Sequence, residues 1–370
     1  MAQNAGYAMS AALALLLAAC GGTPNQVGQA EHSGHTPPAS QASSAPPAPK
    51  FGGIIVADVA FDNTVTLDAI DPATGNITAT RTFTGGQAQL TADPMDQVNP
   101  GVWRSDFNSS FTEAAATGPQ ASDGSQSAGY VNLGGIYTAL TASTTGYSSV
   151  LDKIAIGFAP DGDLWYLIQS SSGPGSTQFG HVNPAAGPSS DQPYNGTAPY
   201  ASDATGSERA YMTPAGVPDS VGAALTTMWL PSGTEVTQDL NGPGYLIGPW
   251  AKISSSALDT PIQSGGGDWR LAPAWMVAPV NSRQFLMKDP ASTELWLNTI
   301  TNGAIMATPL LPVTNRSFNS AVVSPDGQTV AVLDSDGTLW TVPVTGGQPK
   351  QVATGISITN FTGLIAWTPS

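Results

Sequence analysis

Cysteine is almost missing from this chain: Cys20 is the only one in 370 residues, so no intramolecular disulfide can hold the fold. Basic residues are scarce as well, eleven Lys plus Arg against twenty-six acids, for a net charge of −15. A nucleic-acid binder needs a positive surface to displace counterions, so DNA and RNA are excluded as partners. Histidine occurs three times, as His32, His35 and His181. Only His181 lies outside the polar N-terminal stretch, which leaves little material for a Ser-His-Asp arrangement. No Gly-x-Ser-x-Gly elbow, phosphate-cradling glycine loop or His-Glu-x-x-His pair is present. No cofactor and no metal is expected.

Glycine and proline are plentiful, 41 and 31 residues, whereas only 10% of residues are charged. That mixture suits an all-β, turn-rich protein better than a helical one. The clearest stretch is Asn319–Gly355, where β-rich runs at Thr329–Leu333, Thr338–Val344 and Lys350–Ala353 are separated by turns. Pro325-Asp326-Gly327, Asp336-Gly337 and Gly346-Gly347 supply those turns, through positive φ at glycine and side-chain bonds from aspartate. With Phe318–Val323 in front, a four-stranded antiparallel meander is predicted. One such sheet cannot bury both its faces alone, so it requires neighbours of the same kind.

Those neighbours are legible. Leu295-Trp296 repeats as Leu339-Trp340, and Ala274-Trp275, Val322-Val323 and Ala366-Trp367 recur at similar spacing. Ala159-Pro160-Asp161-Gly162-Asp163-Leu164-Trp165 combines the turn and the Leu-Trp pair, while Asp71-Pro72-Ala73-Thr74-Gly75 matches Asn183-Pro184-Ala185-Ala186-Gly187. A four-stranded unit repeating at about 40–50 residues is the mark of a β-propeller. The Pro-Asp-Gly and Leu-Trp spacing resembles the blades of TolB-like six-bladed propellers. Ile154–Gly187 also resembles a blade of the virginiamycin B lyase propellers. The first resemblance implies protein partners engaged through loops and a central channel. The second implies a histidine base and a carboxylate-held metal on the channel face, and a basic residue such as His181 contacting the blade turn. Neither turn motif specifies an activity.

Near the N-terminus, Ala11–Cys20 is a short apolar run ending Leu17-Ala18-Ala19-Cys20, which resembles the bacterial lipobox. It is too short to span a bilayer. The resemblance implies a signal peptide over 1–19 and acylation of Cys20. The protein is then expected in the bacterial cell envelope, lipid-anchored to a membrane. Gly21 after the cysteine favours the outer membrane in a Gram-negative host, facing the periplasm or the surface. Residues 21–50 are Gly, Pro, Ala, Ser and Gln with almost no bulky apolar residue, which predicts a disordered tether from Cys20 to residue 50.

Residues 51–370 form the predicted propeller domain. Its first blade uses Ile54–Ala60, Thr64–Ile70 and Asn76–Phe83, one strand short, and Phe361–Trp367 is a single strand left over at the other end. The two deficits match, so the C-terminal strand is expected to complete the first blade and close the ring, removing open sheet edges. The other blades are placed around Val102–Leu140, Ile154–Val182, Ala210–Ile253, Ala274–Ala307 and Phe318–Ala353. Six blades fit this spacing; seven would require dividing the region that holds Trp229 and Trp250. The tryptophans fall mostly on predicted strands and are read as packing between blades.

Chemistry is sparsely signalled. Glu113, Glu208, Glu235 and Glu294 share no motif, so no pair is nominated for glycoside hydrolysis. Asp161-Gly162-Asp163 and Asp334-Ser335-Asp336-Gly337 contain alternate acids of the kind that bind calcium, but they lack the rest of an EF-hand loop and are read as hairpin turns. Arg104 beside Trp103, Arg270 beside Trp269, and Arg316 all map to connections between blades. There the planar fork of arginine and the face of tryptophan suit an anionic ligand. Pairing of these arginines with Asp106 or Asp268 is the alternative. The sequence thus predicts an exported, lipid-anchored binding or scaffold module for a protein or envelope ligand. An exported lyase-like or sugar-active enzyme, with its site in the central funnel, is the alternative.

Overall fold

The computed structural model describes residues 51–92, 100–122, 124–142, 151–159, 161–170, 178–194, 275–288, 294–301, 304–311, 317–359 and 361–369; between 201 and 274 it describes strands alone. The described residues belong to one compact unit, Pro49–Ser370. Among them the structure is all-β, with six four-stranded antiparallel sheets taken in chain order and two small two-stranded sheets.

Sheet 1 contains β1 (Gly53–Ala60), β2 (Thr64–Ile70) and β3 (Ile77–Thr84). Sheet 2 contains β4 (Gln89–Leu90), β5 (Glu113–Thr117), β6 (Ala128–Asn132) and β7 (Tyr137–Ala139). A six-residue helix α1 (Pro100–Ser105) intervenes between β4 and β5. Sheet 3 contains β8 (Leu151–Phe158), β9 (Leu164–Ser170), β10 (Gln178–Val182) and β11 (Gln192–Tyr194). Next come the pair β12 (Ala201–Ser202) and β13 (Glu208–Arg209), then sheet 4 with β14 (Leu225–Trp229), β15 (Glu235–Asp239), β16 (Gly244–Ile247) and β17 (Ala251–Lys252). The pair β18 (Ile262–Ser264) and β19 (Gly267–Trp269) precedes sheet 5, which holds β20 (Trp275–Asn281), β21 (Gln284–Lys288), β22 (Leu295–Thr301) and β23 (Ala304–Leu311). Sheet 6 contains β24 (Phe318–Val323), β25 (Thr329–Asp334), β26 (Leu339–Pro343) and β27 (Lys350–Ala353).

The last strand, β28 (Thr362–Thr368), does not extend sheet 6. It pairs antiparallel with β1, from Gly53 with Thr368 to Asp58 with Thr362, and gives sheet 1 the order β28-β1-β2-β3. The first sheet is therefore built from both ends of the described chain.

Packing follows from strand periodicity. Successive side chains on β1 point to opposite faces, and both faces are covered, which is why Ile54-Ile55-Val56-Ala57 runs without a polar break. Ile54 and Val56 join Leu364 and the sheet 6 residues Val322, Ala331, Leu333 and Leu339. Ile55, Ala57 and Val59 join Leu90, Phe107, Ala116 and Val131 of the sheet 2 region. The same relation recurs between sheets 5 and 6, through Leu286, Leu297, Val330 and Val332. It recurs again between sheets 2 and 3, through Ala115, Ala128, Leu164 and Tyr166. Sheets 5, 6, 1, 2 and 3 thus stack face to face in sequence. Each buried aliphatic side chain contributes about 1.5–3 kcal/mol.

Strands of neighbouring sheets also adjoin: β28 lies beside β24, β24 beside β20, β20 beside β14, and β5, the second strand of sheet 2, beside β8. Hydroxyls bridge two of these junctions. Leu364 N of β28 donates to Ser320 Oγ of β24 at 2.6 Å, and Ala155 N of β8 donates to Thr117 Oγ1 of β5 at 3.0 Å. Both hydroxyl residues are buried, and each supplies an acceptor to an amide of the neighbouring sheet.

The repeated turns have the geometry that their sequences imply. Ala73 N donates to Asp71 Oδ1 at 2.9 Å and Ala185 N to Asn183 Oδ1 at 3.0 Å, with Gly75 and Gly187 at φ 75° and 70°. At Gly75 a Cβ would lie 2.0 Å from Val352 O of β27, so the position excludes side chains twice over.

Several boundaries differ from the sequence reading. Sheet 2 starts earlier than Val102, at the two-residue β4, and α1 was not anticipated. Sheet 3 gains β11 beyond Val182. The Ala210–Ile253 region, expected as one blade, holds one four-stranded sheet over β14–β17, flanked by two separate hairpins.

Candidate functional site

The best-defined cationic cluster lies where α1 leads into sheet 2. Pro100 fits a helix start because its φ is preset and its missing N–H would have no helical acceptor there. The helix ends after Ser105, and Phe107 then makes an isolated bridge to Ala114 that pinches off the loop between them. Asn108 organises the loop: its Oδ1 accepts from Thr112 N at 2.9 Å, and its Nδ2 donates to Glu113 Oε2 at 2.9 Å. Phe111 is fully buried in the left-handed region at φ 55°, an uncommon conformation for a bulky residue.

Two arginines clamp this loop. Arg104 Nη1 donates to Phe107 O at 2.8 Å and Asn108 O at 3.4 Å, with its guanidinium 4.4 Å from the centre of the Phe111 ring. Arg81, from β3, donates through Nη1 to Ser110 O and, at 2.8 Å, to Phe111 O, and lies 4.3 Å over the Phe51 ring. The two rings meet at 5.7 Å, which completes an alternating series Arg81–Phe51–Phe111–Arg104. Burial pulls the pKa of Arg104 down to about 10 and that of Arg81 downward. Among the described residues neither has a carboxylate within ion-pair distance.

Of the rim expected from sequence, Arg104 is therefore held by backbone carbonyls and Phe111 rather than by Asp106. Trp269 is described only as backbone in β19, where it pairs with Ile262. Arg270, Arg316 and Cys20 lie outside the described residues. Arg81, Phe51 and Phe111 were missed by sequence reading, because Arg81 sits in a threonine-rich strand and its partners belong to a different sheet.

Two other clusters are built around sheet 3. Lys153 Nζ lies 2.7 Å from Asp191 Oδ2, and Tyr166 Oη donates to Asp191 Oδ1. Burial, reinforced by Asp191, raises the Tyr166 pKa and keeps its hydroxyl protonated. Tyr166 lies over Gly180, where a Cβ would come within 2.2 Å of the ring. At the turn end, His181 Nδ1 is 3.0 Å from Asp163 Oδ2, Asn183 Nδ2 donates to Asp163 Oδ1 at 3.0 Å, and the imidazole stacks on Trp165. His181 thus contacts the Asp-Gly-Asp turn.

The alternate acids serve their own hairpins. Asp161 Oδ1 accepts from Asp163 N at 3.1 Å, and Asp336 Oδ1 accepts from Thr338 N at 3.1 Å. Among the described residues no three of His, Cys, Asp and Glu gather as a metal site, and no helix is long and apolar enough to cross a membrane.

No family model matches the chain, and no curated protein matches it. Among solved structures, a functionally unknown protein from Desulfotomaculum acetoxidans is similar at 13% identity and TM-score 0.33, over 81% of this chain and 78% of that one. Hsv2 of Kluyvelomyces marxianus is similar at 8% identity and TM-score 0.28, over 50% and 56%.

Proposed function

We propose that this protein is an exported, lipid-anchored β-propeller of six blades that acts as a binding or scaffold module for a protein or envelope ligand. The observation that carries the reading is the β28–β1 pairing, which lets the end of the chain complete its first sheet, as a closed ring requires. Six four-stranded sheets and the face-to-face stacking of sheets 5, 6, 1, 2 and 3 support it. In such a ring α1 lies across one end of the axis, because it adjoins both β28 and β20 and its Ser105 O approaches Gly157 of β8. Recognition is then assigned to Arg104, Trp269, Arg270 and Arg316, which the sequence places at connections between blades and whose chemistry suits an anionic ligand. Capture of a specific envelope component by the tagged protein from its own membranes, lost on mutation of the rim, tests this function.

A second reading, an exported lyase-like enzyme, draws on the His181–Asp163 pair, since a carboxylate on Nδ1 orients an imidazole for proton transfer. His181 sits on β10, the third strand of its sheet, rather than on the first, and that placement favours the binding role.

A further inference from the structure

The geometry points to an oxyanion-binding site formed by Arg81 and Arg104 at the junction of sheets 1 and 2, specific for a phosphate or carboxylate group. Both guanidinium groups are partly withdrawn from bulk water, Arg104 more than Arg81, and a charge withdrawn from water is costly unless an opposite charge compensates it. Backbone carbonyls give partial compensation, as dipoles. Each arginine uses Nη1 for those bonds. The remaining edge of the fork, Nε and Nη2, is the one that pairs bidentately with an oxyanion. Both residues are partly exposed, so a small anion reaches them from solvent.

The surroundings favour ligand over pure scaffold. Stacking on Phe51 and Phe111 fixes the plane of each guanidinium before any ligand arrives, which lowers the ordering cost of binding. Phe111, whose ring lies under Arg104, adopts a left-handed backbone, and strain of that kind concentrates at binding sites. In a chain of net charge −15, Arg81 of β3 and Arg104 of α1, neither paired with a carboxylate among the described residues, converge on one loop and form a local reversal of the field. The site needs only sheets 1 and 2 and the loop between β4 and β5, so it stands independently of the anchor and of ring closure.

The test uses the full-length chain with Cys20→Ser, so that no acyl chain contributes. Melting is followed with inorganic phosphate or succinate at constant ionic strength, with chloride as reference, and sedimentation with phosphatidylcholine vesicles with and without phosphatidylglycerol. At least one oxyanion should raise Tm saturably, by about 3 °C or more. Arg81→Gln and Arg104→Gln should each abolish the rise, and Arg283→Gln, in the β20–β21 turn of sheet 5, should leave it intact. If a glutamine variant does not fold, the lysine variant at that position should bind about tenfold more weakly, because it keeps charge but loses the fork. Arginine-dependent sedimentation with phosphatidylglycerol identifies a lipid headgroup as the source, and a response to free anion alone identifies a soluble ligand. Absence of any saturable rise and of vesicle binding, a rise that persists in both glutamine variants, or lysine variants of undiminished affinity overturns the proposal.

Discussion

Thr362 donates its hydroxyl to Asp58 at 2.8 Å, joining residues 304 positions apart in sequence. Thr359 donates to the same carboxylate oxygen at 2.7 Å, and Val59 N reaches Phe361 O at 3.1 Å. Phe61 and Phe361 meet edge to face just beyond, with ring centres 4.6 Å apart. The two ends of the fold are thus fastened by charge-assisted bonds and an aromatic contact in addition to the β1–β28 ladder. Asp58→Ala should cost about 1–3 kcal/mol in urea unfolding, since the buried Thr362 loses its carboxylate partner. Asp58→Asn should recover part of that loss.

Tyr166 makes stability depend on alkaline pH. Its folded pKa is raised, so its contribution is complete below the unfolded tyrosine value of about 10 and is lost as pH rises above it. Wild-type stability should fall above about pH 10 by up to about 1.4 kcal/mol per pH unit from this group. Tyr166→Phe should start lower at pH 8 and show a shallower decline. Equal slopes in the two proteins would remove Tyr166 as the cause.

Much of the fold was legible because its turns are short and chemically explicit. Pro325-Asp326-Gly327 and Asp336-Gly337 fix hairpins within a few residues, and the strands of sheets 1 and 6 fall within a residue or two of their expected limits. The missing strand before Ile54 and the spare one at Phe361–Trp367 also located the β28–β1 partnership, because sheet edges need partners. Helix α1 was not legible: Pro100–Ser105 is too short to show helical periodicity. Two-residue strands such as β4 carry no alternation, and β11 lies in a polar Gly-Pro-Ser stretch. The arginine clamp depends on contacts between Arg81 and a loop some thirty positions later, which local patterns do not encode.

Lipidation is proposed from the resemblance of Leu17-Ala18-Ala19-Cys20 to the lipobox and is directly testable. Wild-type protein should sediment with membranes and carry an acylated N-terminal cysteine by mass spectrometry. Cys20→Ser should move it to the soluble fraction. A soluble wild type that retains residues 1–19 would refute the anchor.

The rim makes a separate prediction. Arg270→Glu and Arg316→Glu should weaken capture of the envelope component and leave Tm within about 2 °C, as expected of residues that serve ligand binding rather than the core. Capture undiminished by both substitutions would exclude that face.

The closed ring is tested most directly by removing Leu364–Ser370 and following thermal unfolding. β28 covers β1 and buries Leu364 and Ile365, and Leu364 N is bonded to Ser320 of sheet 6. Loss of that burial and of the ladder should cost on the order of 5 kcal/mol. The truncated chain should melt at least about 10 °C lower, or show no cooperative transition. An unchanged melting temperature would mean that β28 is dispensable and would contradict a ring closed by the C-terminal strand.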